Sequence, residues 1–162
     1  MAARIAGRHY FFTMGLAEDI KQSRFKSSRQ KAALNILYTS NWLNEKTRSF
    51  LNEFELTNQQ FNVLRILRGS HPCPLSTQQI RDRMLDKMSD TSRIVDRLVK
   101  KELALKKTCT SDKRLVDVNI SKKGMDILAE IDKKEDELFQ SLENLSKQEA
   151  EQLSEFCDRI RA

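Results

Sequence analysis

Glycine (4 residues) and proline (2 residues) are scarce in this chain of 162 residues, which favours a helix-rich soluble protein over a turn-rich one. No uninterrupted apolar run approaches the roughly 18 residues of a membrane span. Near the N-terminus, Tyr10, Phe11 and Phe12 form a short apolar patch. It lacks the hydrophobic region and small-residue cleavage site of a secretion signal, so a cytoplasmic location is expected. The three cysteines, Cys73, Cys109 and Cys157, make no CxxC pair. An odd number cannot all pair within one chain, and reduced thiols are expected. Histidine is limited to His9 and His71. His71 and Cys73 are too few ligands for a zinc site, so neither metal nor cofactor is expected. A cysteine hydrolase using Cys73 or Cys109 would lack an orienting triad, and the chain is read as a non-enzyme.

Charge is what the sequence does have, and its placement says more than the total of +6. Residues 76 to 114 carry eleven Lys/Arg against six Asp/Glu, whereas residues 115 to 162 carry seven against twelve. One part of the molecule is suited to meet an anion and the other is not. The length suits one domain, or one domain with helical extensions.

Residues 1 to 26 show no sustained periodicity and are read as an N-terminal arm. Met14 begins "MGLAEDIKQSRF", an ordinary start, so the first thirteen residues are either an upstream-start extension or a mobile arm. From Ser27 to Phe54, apolar residues including Leu34, Leu37, Leu43, Phe50 and Leu51 fit one long helix. At 1.5 Å per residue it spans roughly 40 Å, more than a small domain needs for its own core, which implies a partner surface. Three later starts pair a hydroxyl with Gln or Glu three residues on: Thr57/Gln60, Ser76/Gln79 and Ser146/Glu149. In each the hydroxyl oxygen takes an orphan backbone N–H and the later side chain reaches back.

These caps place a helix over about Thr57 to Arg68, followed by the breaker-rich "GSHPCPLS", and a second over about Ser76 to Asp86 with Ile80, Met84 and Leu85 inward. A third begins near Ser89 and carries Ile94, Val95 and Leu98 to about Lys101. The short turn between the last two has helix-turn-helix spacing. Runs at Leu103 to Lys107 and Leu115 to Ile120 read as a hairpin, the second with Val116, Val118 and Ile120 alternating. After Ser121 a long amphipathic helix is expected, with Met125, Leu128, Ile131, Leu138, Phe139 and Leu142 on one side. A last helix from Ser146 carries Leu153, Phe156 and Ile160. The fold expected is mainly α with a small β-hairpin, a winged helix-turn-helix over residues 55–120 between helices at 27–54 and 121–162.

In the third helix, Ser89, Asp90, Thr91, Ser92 and Arg93 offer short hydrogen-bonding groups and one guanidinium to base edges, while Arg97, Lys100 and Lys101 are placed to hold phosphates. The bland alternative is a solvated helix face with a Ser cap. The hairpin tip carries Asp112, Lys113 and Arg114. Read functionally, Arg114 enters a minor groove, Asp112 orients it, and Lys106, Lys107 and Lys113 add attraction for phosphate. Read blandly, the tip is a charged, soluble turn.

The segments "LTNQQFNVLRIL", "LSTQQIRDRM", "TSRIVDRLVKKELALKK", "SDKR" and "ISKKG" occur in the order and spacing of the MarR family of transcription regulators, which the chain resembles from about Ser27 onward and most closely from Leu56 to Gly124. The resemblance implies a homodimer formed by the long first and last helices and a pseudo-palindromic double-stranded DNA operator. It also implies a repressor released by a small aromatic or phenolic effector. The family's D-R-R motif falls on Asp112, Lys113 and Arg114, with Lys in the middle place. Glu102 stands where the family usually has Gly, and Lys106 and Lys107 stand where arginines are common. Tyr38, Trp42 and Phe50 are effector-pocket candidates against core or dimer packing. Two other readings stay open: a winged helix that docks a protein, and a redox-responsive regulator acting through Cys109.

Overall fold

Hydroxyl caps set most of the helix starts. The computed structural model describes residues 15–108 and 116–162, which fall into two compact units, one ending at Asn44 and one running from Glu45 to Ala162. The first unit holds a short helix α1 (Leu16–Asp19) and residues 28–44 of the long helix α2 (Ser28–Leu51), whose last residues belong to the second unit. Ser27 Oγ accepts the Gln30 N–H at 3.1 Å near the start of α2. Along residues 28–44, α2 buries none of its side chains, and Ile36, Leu37, Tyr38 and Trp42 are exposed.

In the second unit, Leu51 lies in the core and a 3-10 turn (Asn52–Phe54) follows. Helix α3 (Asn58–Ser70) then starts from the Thr57/Gln60 box, with both reciprocal bonds at 3.2 Å. Strand β1 (Leu75–Ser76) leads directly into helix α4 (Thr77–Arg83), which is capped by the Ser76/Gln79 box. Helix α5 (Thr91–Lys100), strand β2 (Ala104–Thr108) and strand β3 (Val116–Ile120) follow. Helix α6 (Lys122–Asp132) starts directly after Ser121, as expected, and Ser121 caps it by accepting the Gly124 N–H at 2.9 Å. Helix α7 (Glu135–Phe139), a 3-10 turn (Gln140–Asn144) and helix α8 (Lys147–Arg161) complete the chain, α8 beginning at the expected Ser146/Glu149 box.

The core of the second unit gathers Val63, Leu64 and Leu67 of α3, Ile80 of α4, Val95 and Leu98 of α5, Val118 of β3, and Leu128 and Ile131 of α6. Fully burying an aliphatic side chain of this size contributes about 1.5–3 kcal/mol, so these helices are held by shared burial more than by their own propensity. Gly124 is needed where α6 meets the sheet: a Cβ there would lie 2.2 Å from the Leu103 carbonyl oxygen.

Three expectations are corrected. The sheet is more than a hairpin: it has three antiparallel strands in the order β1-β3-β2, with Leu75 opposite Val118 and Ala104 opposite Ile120. A two-residue strand has no alternation to read and exists because β3 offers it a free edge. The long helix after Ser121 is broken at Lys133 and Lys134. Around the break, side chains are tied to other elements: Arg68 to Asp132 at 2.6 Å, Arg65 to Glu135 at 2.8 Å, and Lys134 to Glu53 at 2.8 Å. Leu85, expected inward, is 90% exposed. Met84 leaves α4 in extended backbone (ψ 144°), which ends the 3.6-residue period, and the Leu85 N–H bonds to Asn62 Oδ1 at 3.0 Å instead.

In the second unit, two helix ends stop at a left-handed residue other than glycine. Glu102 follows α5 with φ 63°; its N–H donates to Val99 O and the Leu103 N–H to Leu98 O, each at 2.9 Å. Glu55 follows the first 3-10 turn with φ 54°, and the Leu56 N–H donates to Leu51 O at 3.1 Å. In both, a left-handed residue closes the last carbonyls and folds a leucine back over a buried leucine. The Gly-to-Glu departure at position 102 therefore leaves the backbone turn intact. Lys101 ties the two stops together by donating its ammonium to the Glu55 carbonyl.

Candidate nucleic-acid interface

Helix α5 presents two different faces. Val95 and Leu98 are fully buried, while Ser92, Arg93, Asp96 and Arg97 face solvent. The helix begins two residues later than expected, with Asp90 as its cap: Asp90 Oδ1 accepts the Arg93 N–H at 3.1 Å. That shift corrects the place of Thr91. Its side chain is buried, its hydroxyl lies 3.4 Å from the Met84 sulfur, and it stands at the floor of the α4–α5 side of the helix and not on its outer face. The Arg93 guanidinium stays 81% exposed while Nε lies 3.1 Å from Asp90 Oδ2, an exposed pair that orients the arginine more than it stabilises the fold.

The turn before α5 is organised by Asp86. Its Oδ2 accepts the Ser89 hydroxyl at 2.6 Å and its Oδ1 accepts the Met88 N–H at 3.0 Å. The Ser89 bond first and the Met88 bond second hold the Asp86 carboxyl below its ordinary pKa. Two open grooves flank the first turn of α5. One, about 310 Å3, runs between α3 and α5 and is lined by Gln59, Ser89, Arg93, Ile94 and Arg97 among others. The second, about 350 Å3, runs between α4 and α5 past Thr77, Gln78, Arg81, Met88 and Ser92. Ser89, Asp90, Ser92, Arg93 and Arg97 are thus brought together.

Sequence reasoning missed Gln59, Thr77, Gln78, Arg81 and Met88 as groove residues. A signal was present for three of them. The Thr57 and Ser76 boxes put Gln59, Thr77 and Gln78 in the first turns of their helices, beside the orphan N–H groups.

On the sheet, Lys106 lies opposite Val118, on the face that carries the buried strand residues. Its ammonium meets Asp96 of α5 at 2.8 Å. Lys107 lies opposite Asp117 and is exposed. Asp112, Lys113, Arg114 and Cys109 lie outside the described residues. Phe50 packs on Phe54 with ring centroids 5.7 Å apart, the packing reading of that side chain. Among the described residues no cluster of three or more potential metal ligands occurs, and no helix is long and apolar enough to cross a membrane.

The sequence profile of the MarR family matches residues 56–116, the stretch from Leu56 through α3, α4, α5 and β2 to the first residue of β3. These residues form a MarR-type winged-helix region. A curated relative, the HTH-type transcriptional regulator MhqR of Bacillus subtilis (strain 168), is 29% identical over 136 residues, covering 83% of this chain and 91% of that protein. The crystal structure of a MarR transcription factor from Planctomyces limnophilus superposes with a TM-score of 0.66 at 29% identity, over 83% of this chain and 98% of that one. The S. aureus MepR–DNA complex superposes with a TM-score of 0.70 at 21% identity, over 77% of this chain and 92% of that one, and supports the fold. Together these matches support a MarR-type transcription regulator.

Proposed function

We propose that this MarR-type regulator binds double-stranded DNA as a homodimer, with α5 in the major groove and the β2–β3 wing reaching toward the minor groove. The carrying observation is the exposed first turn of α5. Ser92 and Arg93 stand clear of the core between two open grooves that add Arg81 and Arg97. Arg81, Arg97, Lys107 and Lys113 supply affinity for phosphate that falls with salt, while Ser89, Asp90, Ser92 and Arg93 supply base contacts worth about 1–3 kcal/mol per good pair. At the wing tip, Arg114 takes the minor groove and Asp112 orients it.

Dimerisation is supported by the apolar surface of the terminal helices. Leu37 of α2 is 62% exposed, and Leu153, Phe156 and Ile160 form an exposed stripe on α8. Residues 27–54 and 121–162 are read as the dimerisation elements and residues 55–120 as the DNA-binding region. The operator is a rough palindrome with half-sites about 34 Å apart. Repression by promoter occupancy, relieved by a small aromatic effector, follows from the family resemblance.

The test is selection of a duplex from a randomised pool, followed by binding of selected and random duplexes across a salt series. Selective binding with a steep salt dependence is expected. Equal, weak binding to both duplexes would overturn the reading and favour a winged helix that docks an acidic protein.

A further inference from the structure

Met88 is 92% exposed in the turn between α4 and α5, an unusual place for a large apolar side chain beside so many polar groups. It is not there through slack in the chain. Asp86 Oδ1 accepts the Met88 N–H at 3.0 Å, Asp86 Oδ2 accepts the neighbouring Ser89 hydroxyl at 2.6 Å, and Asp90 caps α5 two residues on. The backbone is thereby fixed, and the thioether chain lines the groove shared by Gln78, Arg81 and Ser92.

We propose that Met88 is a specificity-determining residue that reads the 5-methyl group of thymine in the operator. The inference rests on the DNA-binding reading above. Its neighbours Gln78, Arg81 and Ser92 are hydrogen-bonding or charged, suited to base edges and phosphates. Met88 is the large apolar group in that groove, and the thymine methyl is the apolar feature of a major-groove edge. An unbranched thioether adapts its shape to such a methyl without demanding one exact geometry. Leu85 supplies an internal comparison. It is 90% exposed in the same turn, yet it lines neither groove beside α5, so it makes no such contact.

The experiment uses the full-length protein and the duplex it selects from a randomised pool, resynthesised with uracil in place of thymine one position at a time. For the wild type, loss of the relevant methyl is expected to weaken binding about fourfold, the fold-change that burial of one methyl-sized group corresponds to. In Met88→Ala the same replacement should have no effect, whereas Leu85→Ala should keep the wild-type response. Uracil replacement that weakens wild type and Met88→Ala equally, or weakens neither, overturns the assignment while leaving DNA binding intact. A wild type that prefers no duplex over any other overturns the DNA-binding reading itself, and the assignment with it.

Discussion

The ammonium of Lys106 on β2 lies 2.8 Å from the carboxylate of Asp96 on α5, joining the base of the wing to the exposed side of the helix. Lys106 is on the inward face of the sheet, and only a third of its side chain is exposed. The partner it already has makes Lys106 a tie between helix and wing, whereas Lys107, on the opposite face, is the lysine proposed to meet phosphate.

Replacement of each lysine should separate these roles. Lys107→Ala is expected to reduce the slope of log affinity against log salt by about one per protomer. Lys106→Ala should leave the slope unchanged and lower stability by no more than about 1 kcal/mol, the range of partly exposed ion pairs. Equal slope changes in the two variants would contradict the assignment.

Glu102 holds a left-handed conformation (φ 63°) at the end of α5. For a residue with a Cβ that conformation costs roughly 1–2 kcal/mol, part of which glycine gives back through its greater freedom in the unfolded chain. The side-chain contact that would be lost, Lys123 Nζ to Glu102 Oε2 at 3.2 Å, is largely exposed and worth little. Glu102→Gly is therefore expected to raise stability by about 0.5–1 kcal/mol in urea denaturation, with α5 still ending at the same carbonyls. A loss of stability would show that the glutamate side chain matters more than its backbone.

Asp86 organises the turn before α5 as a carboxylate, and its bonds from Ser89 and Met88 hold its pKa below the ordinary value. A group with a depressed folded pKa contributes order that is present above its unfolded value and is lost as pH falls through the folded one. Amide exchange at Met88 and Ser89, corrected for intrinsic rates, should therefore lose protection only at acid pH. Asp86→Asn, which cannot carry the charge, should exchange faster at neutral pH and show little further change on acidification. Retention of the acid-dependent step in Asp86→Asn would assign it to another group.

Features governed by four or five consecutive residues were legible without the fold. The Thr57, Ser76 and Ser146 boxes lie where the spacing placed them, because both of their bonds close within four residues. The alternation of β3 was legible for the same reason, since its period is two. The candidate surface was legible in outline. Ser92, Arg93 and Arg97 fall on the outer face of α5, but Thr91 does not. Thr91 stands four residues before Val95 and seven before Leu98, so the helical period carries it onto the buried face.

What the sequence determined by itself was local: the helix starts, the strand period, the concentration of positive charge over residues 76 to 114, and the motif order that marks the family. What only the tertiary structure decided depended on partners far apart in the chain. β1 forms because β3 presents an edge to it, the helix after Ser121 breaks where its side chains are tied to α3 and to Glu53, and Lys106 turns toward Asp96. Met88 is held in its groove by a turn whose shape depends on where α4 stops and α5 starts. A period or a cap is a property of neighbouring backbone groups. An ion pair or an added strand exists only once burial of the shared core has brought distant segments together.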